Sequence, residues 1–329
     1  MLHSHQDKFT GERPGSGCHL RSAPRIGLAL SSGAARGLAH VGVIQAIEEL
    51  GVPIYAVAGC SMGAYIGALW NFGCSGAEME KLAATINRPR DLLGLVDPAF
   101  PPGRGLIRGR KVKARLERTI GDARFSDMKR PLRVVATRLD TFERVVFSHG
   151  KVADAVHASL AIPGVCVPVE LKGAHYSDGA ILDPLPVEVL RRMGCDHIIA
   201  VSVIPRVSEM SAACGQFYEA KRPWLQGFNP FATGNFIDTL RRSVLSAEIR
   251  LADESGRNAD VLIEPEVREG GWHDYRQWPF YIERGRDAAF ARTEELLALC
   301  ADGGPDDSGK ITKIYPIKKE TDHYESIKA

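Results

Sequence analysis

The stretch Ile54-Tyr55-Ala56-Val57-Ala58-Gly59-Cys60-Ser61-Met62-Gly63-Ala64-Tyr65-Ile66-Gly67-Ala68-Leu69 decides the fold. Its first half is an apolar run of strand length, and its second half is a small-residue run of helical character. The two meet at Gly59-Cys60-Ser61-Met62-Gly63. A strand that turns sharply into a helix through G-x-S-x-G is a nucleophile elbow, which lifts its serine into an exposed, strained position. Glycine at 59 and 63 removes side chains where strand and helix pass close together, and Ala64, Gly67 and Ala68 let the helix lie tight on a sheet. The helix N-terminus aims unpaired N–H groups and a positive dipole end at the serine oxygen. The competing reading is a tight connection around a buried, unreactive serine.

Upstream, Arg25 to Leu30 reads as a short strand running straight into Ser31-Ser32-Gly33-Ala34-Ala35-Arg36-Gly37. Leu38, Val41, Ile44 and Ile47 then recur at helical spacing up to Leu50, and Gly51 closes the helix. With the strand at Ile54 this makes a right-handed parallel crossover. Two loop–helix junctions come side by side at the carboxyl ends of adjacent strands. The first loop can offer successive backbone N–H groups beside Ser61. It lacks the glycine pattern of a dinucleotide loop and the Gly-Lys-Ser/Thr ending of a nucleoside-triphosphate loop.

The 329 residues suffice for one large α/β domain or two modest ones, and 44% hydrophobic with 25% charged residues is a globular composition. Forty-two basic against 40 acidic residues, with no dense Lys/Arg block, argue against a nucleic-acid partner. No run approaches the ~18 apolar residues of a spanning helix. Residues 1–24 are polar, lack a signal-peptide core and are expected to be disordered. Seven scattered cysteines suggest neither a disulfide framework nor a zinc site, so a reducing, cytoplasmic setting is expected, with peripheral contact at the inner membrane as a variant of it. Cys60 reads as filler.

Further along, Arg133 to Thr137 and Glu143 to Phe147 are strand candidates, Val152 to Leu160 a helix stopped by Pro163, and Cys166 to Glu170 an edge piece. Lys172 to Ala180 reads as a hairpin returning into an Asp-Gly turn, Pro184 to Met193 as a helix, and His197 to Val203 as a central parallel strand. Ile237 to Ala252 and Tyr281 to Ala298 read as helices, the latter packing the sheet, with Ala259 to Glu264 the last strand. Two Pro/Gly-punctuated segments stand out. Asn87 to Gly105 carries Leu92, Leu93 and Phe100, and Pro223 to Phe236 is rich in aromatics. Either suits an apolar rim or flap, or a cover for the domain's flank. Residues 25–300 are expected to form the domain, and 301–329 a flexible tail.

Ser61 needs a base. His197 precedes its strand and should lie at the wrong, amino end, whereas His273 follows the last strand and is well placed for a serine–acid–histidine order. The alternative is a carboxylate acting directly. Asp178 suits it, with Gly179 permitting the turn and sparing the serine a crowding side chain. Asp178-Gly179 is also simply a turn sequence.

Four motifs in order resemble the patatin-like phospholipase family, in its short bacterial branch. Ser31 to Gly37 matches a glycine-rich oxyanion loop ending in Arg-Gly, Gly59 to Gly63 the elbow, and Asp178-Gly179-Ala180 the Asp-Gly-Gly/Ala motif. Ala158 to Pro163 followed by Pro168 resembles the block preceding the acid. The likeness runs from about Ile26 to Val203 and fades beyond. It implies a three-layer α/β/α fold with a mainly parallel central sheet, and a serine–aspartate dyad needing no histidine, cofactor or metal. Ser61 would be the nucleophile, Asp178 its partner, the Gly33 and Ala34 N–H groups the oxyanion donors, and Arg36 a brace for that loop or a hold on an anionic group. The implied substrate is an acyl lipid, phospholipid or lysophospholipid. The chain departs from the family at Ser32 and Ala34, where glycine is commonest, and an alanine serves only if the loop needs no left-handed conformation there. A conventional triad, or a non-catalytic protein keeping the fold, are the alternatives. Nothing in the sequence fixes an oligomeric state.

Overall fold

The computed structural model describes residues 23–101, 103–206, 236–271 and 273–301. Eight strands form one sheet. They are β1 (Ile26–Leu30), β2 (Ile54–Cys60), β3 (Leu132–Arg138), β4 (Glu143–Phe147), β5 (Val169–Leu171), β6 (Ala174–Asp178), β7 (His197–Val201) and β8 (Val261–Ile263). The parallel core runs β3-β2-β1-β7-β8, and β4, β5 and β6 join antiparallel. The fold is thus α/β with a mainly parallel central sheet and helices on both faces.

Two-residue alternation along the strands divides the core in two. Ile26, Leu28, Leu30, Val57, Ile199 and Val201 face one apolar cluster. It is covered by α1 (Ala39–Leu50), α2 (Met62–Phe72), α5 (Arg110–Ile120) and α6 (Val152–Ser159). The opposite side is lined by Ala29, Ala56, Ala58, Val135, Ile198 and Ala200. The four alanines let α7 (Val187–Arg192) and α8 (Phe236–Gly256) come close, through Val187, Val189, Leu190, Ile249 and Ala252.

The register around β3 positions everything that follows. β4 occupies one edge of β3 over Val134 to Arg138. On the other edge, β2 pairs with Leu132 to Val135 and β6 with Ala136 to Arg138. β2 runs parallel to β3 and β6 antiparallel, so the two approach each other head-on. They stop opposite adjacent residues, Cys60 at Val135 and Asp178 at Ala136.

Several expected elements differ in detail. Before α1 the chain makes a 3-10 turn at Ala34–Leu38. The helix expected from Pro184 begins at Val187, because the Pro184 carbonyl instead accepts the Ser32 N–H at 2.9 Å. Between α2 and α5 lie α3 (Gly76–Ala83), capped by a reciprocal Ser75–Glu78 box, and the single turn α4 (Pro89–Leu93). The helix expected over Tyr281 to Ala298 is two, α9 (Trp278–Phe290) and α10 (Thr293–Ala301).

Moreover, α9 lies against α1 rather than the sheet. A Cβ on Gly42 would stand 1.9 Å from the Ile282 carbonyl oxygen, and one on Gly285 1.9 Å from that of Ala39. A mid-helix glycine costs each helix about 1 kcal/mol, so this crossing exchanges helix propensity for backbone contact. Gly42→Ala should therefore cost roughly 2–3 kcal/mol by forcing the helices apart. Urea unfolding checks this, and a loss below about 0.5 kcal/mol would mean the helices separate freely.

Candidate active site

Ser61 sits between β2 and α2 with φ 53° and ψ −120°, a left-handed conformation that a non-glycine residue holds only where its surroundings enforce it. Those surroundings are identifiable. A Cβ on Gly59 would lie 2.6 Å from the Ala64 nitrogen and one on Gly63 2.3 Å from the Leu30 carbonyl oxygen, so strand, helix and neighbouring β1 are pressed together around the turn. The Ser61 N–H donates to Ser159 Oγ at 2.7 Å. Ser159, in the Ala158 to Pro163 block, carried no role in the sequence reading, and its hydroxyl fixes the turn's backbone.

Ser61 Oγ donates to Asp178 Oδ2 at 2.6 Å, and both residues are buried, 3% and 4% exposed. The head-on meeting of β2 and β6 puts them there. The Asp178 backbone is fixed from two sides, its N–H donating to the Ala161 carbonyl at 2.9 Å and its carbonyl accepting from Thr137 Oγ1 at 3.0 Å. Its other carboxylate oxygen, Oδ1, accepts the Ala180 N–H at 2.9 Å and faces the Cys60 thiol at 3.7 Å. Cys60 is therefore more than filler. Gly179 is required for a reason other than crowding of the serine, since a Cβ there would stand 2.5 Å from the Val135 carbonyl oxygen on β3.

Burial pushes the Asp178 carboxyl up to about 6, against hydrogen bonds from Ser61, Ala180 and Cys60 that pull it down. Burial, with the Asp178 charge adding to it, likewise raises the Cys60 thiol well above its ordinary range, so that sulfur stays protonated.

One cleft gathers the expected residues. Ser61, Asp178, Gly33, Ala34 and Arg36 all line it, with an apolar wall that includes Ile162, Ile181, Val203 and Leu245. In the loop after β1, Ser31 Oγ accepts the Val203 N–H at 3.0 Å and the Ser32 N–H reaches Pro184, while the Ser31 carbonyl meets His40 Nε2 at 2.9 Å. The loop is thus pinned on both sides of the strand. A Cβ on Gly33 would fall 2.3 Å from Val203 Cγ2, so only glycine fits. Ala34 has φ 49°: the loop does demand a left-handed residue there, and alanine adopts it. Neither the Gly33 nor the Ala34 N–H makes a backbone hydrogen bond among the described residues. Arg36 Nε donates to the Gly270 carbonyl at 3.1 Å and Nη2 to that of Arg268 at 3.5 Å, bracing the loop against the chain after β8.

Other expectations are redistributed. His197 pairs with Ile26 at the amino end of the sheet, as read from its position. His273 is exposed and does not line the cleft. Leu92 to Phe100 do not line it either. That segment is tied down through the pair Pro98–Ile107, Ile107 in turn pairing with Cys166, and it leaves Leu93 and Phe100 68% and 86% exposed. Trp224 to Asn235 lie outside the described residues. Glu248 of α8, which no motif marked, does line the cleft.

Comparison with known proteins settles the ancestry. Residues 28–191 match the patatin-like phospholipase family, a span that holds β1, the elbow and Asp178. The chain belongs to that family. Among its relatives is an uncharacterized NTE family protein of Mycobacterium tuberculosis, 40% identical over 182 residues, or 55% of this chain and 50% of that protein. The lysophospholipase NTE1 of Saccharomyces cerevisiae is 29% identical over 209 residues, 61% of this chain and 12% of the yeast protein. The match thus spans half the length of the mycobacterial relative and about an eighth of the yeast one. Among solved structures, VipD of Legionella pneumophila aligns with a TM-score of 0.44 at 15% identity, covering 84% of this chain and 67% of that one. Members of the patatin-like phospholipase family are typically carboxylic ester hydrolases.

The raised Asp178 pKa has a consequence for stability. The folded state binds this proton more tightly than the unfolded chain, whose value is near 3.8, so the group's contribution is complete below about pH 4 and is lost as pH rises through about 6. Asp178→Asn avoids burying that charge. It should be more stable than the parent by about 2–3 kcal/mol at pH 8, the difference shrinking to near zero at pH 4. Urea unfolding at the two pH values measures this, and a pH-independent difference would show that burial of the charge is not its cause.

Proposed function

We propose that this protein hydrolyses carboxylic esters of acyl lipids, phospholipid or lysophospholipid among them, through a Ser61–Asp178 dyad and an acyl-enzyme. The observation that carries this reading is the 2.6 Å hydrogen bond from a strained, buried serine to a carboxylate whose basicity burial has raised.

Asp178 Oδ2 accepts the proton of Ser61 Oγ as that oxygen bonds to the ester carbonyl carbon. The carbonyl oxygen takes up the negative charge and is met by the Gly33 and Ala34 N–H groups, carried on a loop anchored at Ser31 and Ser32. Collapse breaks the bond to the alcohol, which leaves with the proton held on Asp178. Water then gives its proton to Asp178 and attacks the acyl group, and Ser61 departs reprotonated as the free acid forms. A free aspartate near ~3.9 is a poor base at neutral pH, and a value of about 6 brings it closer to the optimum while keeping it ionised at pH 7. The apolar wall of Ile162, Ile181, Val203 and Leu245 offers an acyl chain a dry surface. Arg36 braces the oxyanion loop. No helix among the described residues is long and apolar enough to cross a membrane, so lipid would be met at a surface, and the exposed Phe100 and Leu93 are apolar points for that contact.

Ser61→Ala and Asp178→Asn should each lower fatty-acid release by at least about a thousandfold while the protein stays folded. Fluorophosphonate should label the parent stoichiometrically, and Ser61→Ala not at all. Near-parental turnover by Ser61→Ala would end the mechanism, and a folded parent that never labels would favour a non-catalytic role. His273→Ala should change turnover by less than about threefold, where a triad base would cost several decades.

The pH profile adds an independent check. Because the base must be ionised, kcat/KM should rise with pH through a limb centred near 6, and a rising limb centred near 4 would mean that burial does not raise the carboxylate that serves as base.

A further inference from the structure

One buried histidine has no part in the proposed ester chemistry and yet closes the loop after β1. His40 lies in the first turn of α1 and is fully buried. Its Nε2 stands 2.9 Å from the carbonyl oxygen of Ser31, nine residues back, so the ring clasps the whole intervening segment. A carbonyl oxygen only accepts, so Nε2 must be the protonated nitrogen. Nδ1 agrees with this, since it is buried without a hydrogen-bond partner among the described residues and so has no acceptor for a proton. Burial pushes the imidazole down to about 4, against the Ser31 carbonyl that pulls it up. The ring is therefore neutral, and its single N–H is committed to that oxygen.

The carbonyl that His40 holds is also crowded against the elbow. A Cβ on Gly63 would stand 2.5 Å from the same Ser31 oxygen, and one on Gly37 2.4 Å from Met62 Cγ and 3.7 Å from His40 Cδ2. The ring thus sits where the loop, α1 and the start of α2 meet. At the other end of the same peptide the Ser32 N–H donates to the Pro184 carbonyl at 2.9 Å. With both polar ends held, the plane of the Ser31–Ser32 peptide is fixed, and with it the direction in which the chain enters Gly33 and Ala34, which line the cleft with Ser61.

We propose that His40 is a positioning residue for the oxyanion site: by holding the Ser31 carbonyl through its Nε2–H, it aims the Gly33 and Ala34 N–H groups at the oxygen that becomes charged when Ser61 attacks. This rests on the ester-hydrolase reading, in which those two groups are the donors. A peptide released at Ser31 can rotate, and donors displaced even slightly lose much of their hold on a transition state. A histidine that only filled space would behave otherwise. Replacing it would cost stability, and a substitute that restored the donor would be no better than one that did not.

The test compares His40→Phe, which keeps an aromatic ring and removes the donor, with His40→Gln, whose amide carries a donor at a similar reach. Both are made in the full chain and assayed on p-nitrophenyl decanoate, with folding followed by circular dichroism. His40→Phe should lower kcat by about thirtyfold or more and leave KM within about threefold, because the weakened contacts are made in the transition state. It should weaken inhibition by a decyl trifluoromethyl ketone by a similar factor, since Ser61 Oγ adds to that carbonyl carbon, passes its proton to Asp178 and leaves the same charged oxygen. His40→Gln should stay within about fivefold of the parent in both measurements. A folded His40→Phe with parental kcat, a loss confined to KM, or a His40→Gln no better than His40→Phe would overturn the assignment.

A second measurement needs neither turnover nor a folded His40→Phe. In the parent carrying nitrogen-labelled histidine, the His40 ring signals, assigned by their loss in His40→Gln, should show by NMR a neutral imidazole with its proton on Nε2 at neutral pH. A proton on Nδ1 would leave the Ser31 carbonyl without its donor and end the proposal. If the parent neither labels with fluorophosphonate nor cleaves the ester, it is the hydrolase reading that fails, and the position of the ring proton still reports on the His40–Ser31 hydrogen bond.

Discussion

Two strands meeting end to end on one edge of β3 are the constraint on which the site depends. β2 and β6 run toward each other and stop at neighbouring positions, Val135 and Ala136, so neither can continue without displacing the other. Each chain must leave the sheet there. One departs through Ser61 into α2, the other through Gly179 into a 3-10 turn, and Ser61 Oγ donates to Oδ2 of Asp178, the last residue of β6, at 2.6 Å. The pair is thus placed by sheet register, a property of many backbone hydrogen bonds, rather than by a loop whose conformation must be ordered for the purpose.

That placement has a cost that the rest of the structure offsets. A left-handed serine and a buried carboxylate each destabilise the fold, the first by roughly 1–3 kcal/mol and the second by whatever burial takes to raise Asp178 to about 6. The compensation is local and close-packed. Gly59, Gly63 and Gly179 bring backbones to distances that exclude a methyl group, Ser159 and Thr137 fix the two departing segments, and the paired glycines 42 and 285 lock α9 onto the helix that follows the loop after β1. Strain at Ser61 persists because relaxing it would require moving three strands and a helix together.

What was legible in the sequence follows from the same geometry. The elbow, the loop after β1 and the Asp178-Gly179 turn are each a few consecutive residues, and their glycines mark close approaches that only a missing side chain allows, so they can be read locally. The parallel crossover from β1 through α1 to β2 was legible too, through strand runs alternating with helical spacing, whereas the three-layer arrangement came from the resemblance to the family. The α1–α9 crossing was not, because Gly42 and Gly285 look like defects until the partner helix is known to lie on them. Glu248 meets Ser32 across 216 residues, on a helix that reads simply as amphipathic. Ser159 stood inside a block whose resemblance to the family was plain, yet nothing in the chain says that its hydroxyl will find the Ser61 N–H.

The loop after β1 shows why a departure from a family pattern must be judged by its backbone. Alanine at 34 ought to be unfavourable where a left-handed residue is needed, and Ala34 is left-handed, with φ 49°. The penalty for alanine in that region is roughly 1–2 kcal/mol, an amount a single well-placed anchor can outweigh. The loop has several, at Ser31, Ser32 and Arg36. Ser32 stands where the family most often has glycine, and its hydroxyl donates to Glu248 beside the loop. The two substitutions therefore act differently on the site. One leaves a backbone N–H in place at a tolerable strain, and the other adds a hydrogen bond from the loop to α8, whose Val244 and Leu245 also line the cleft.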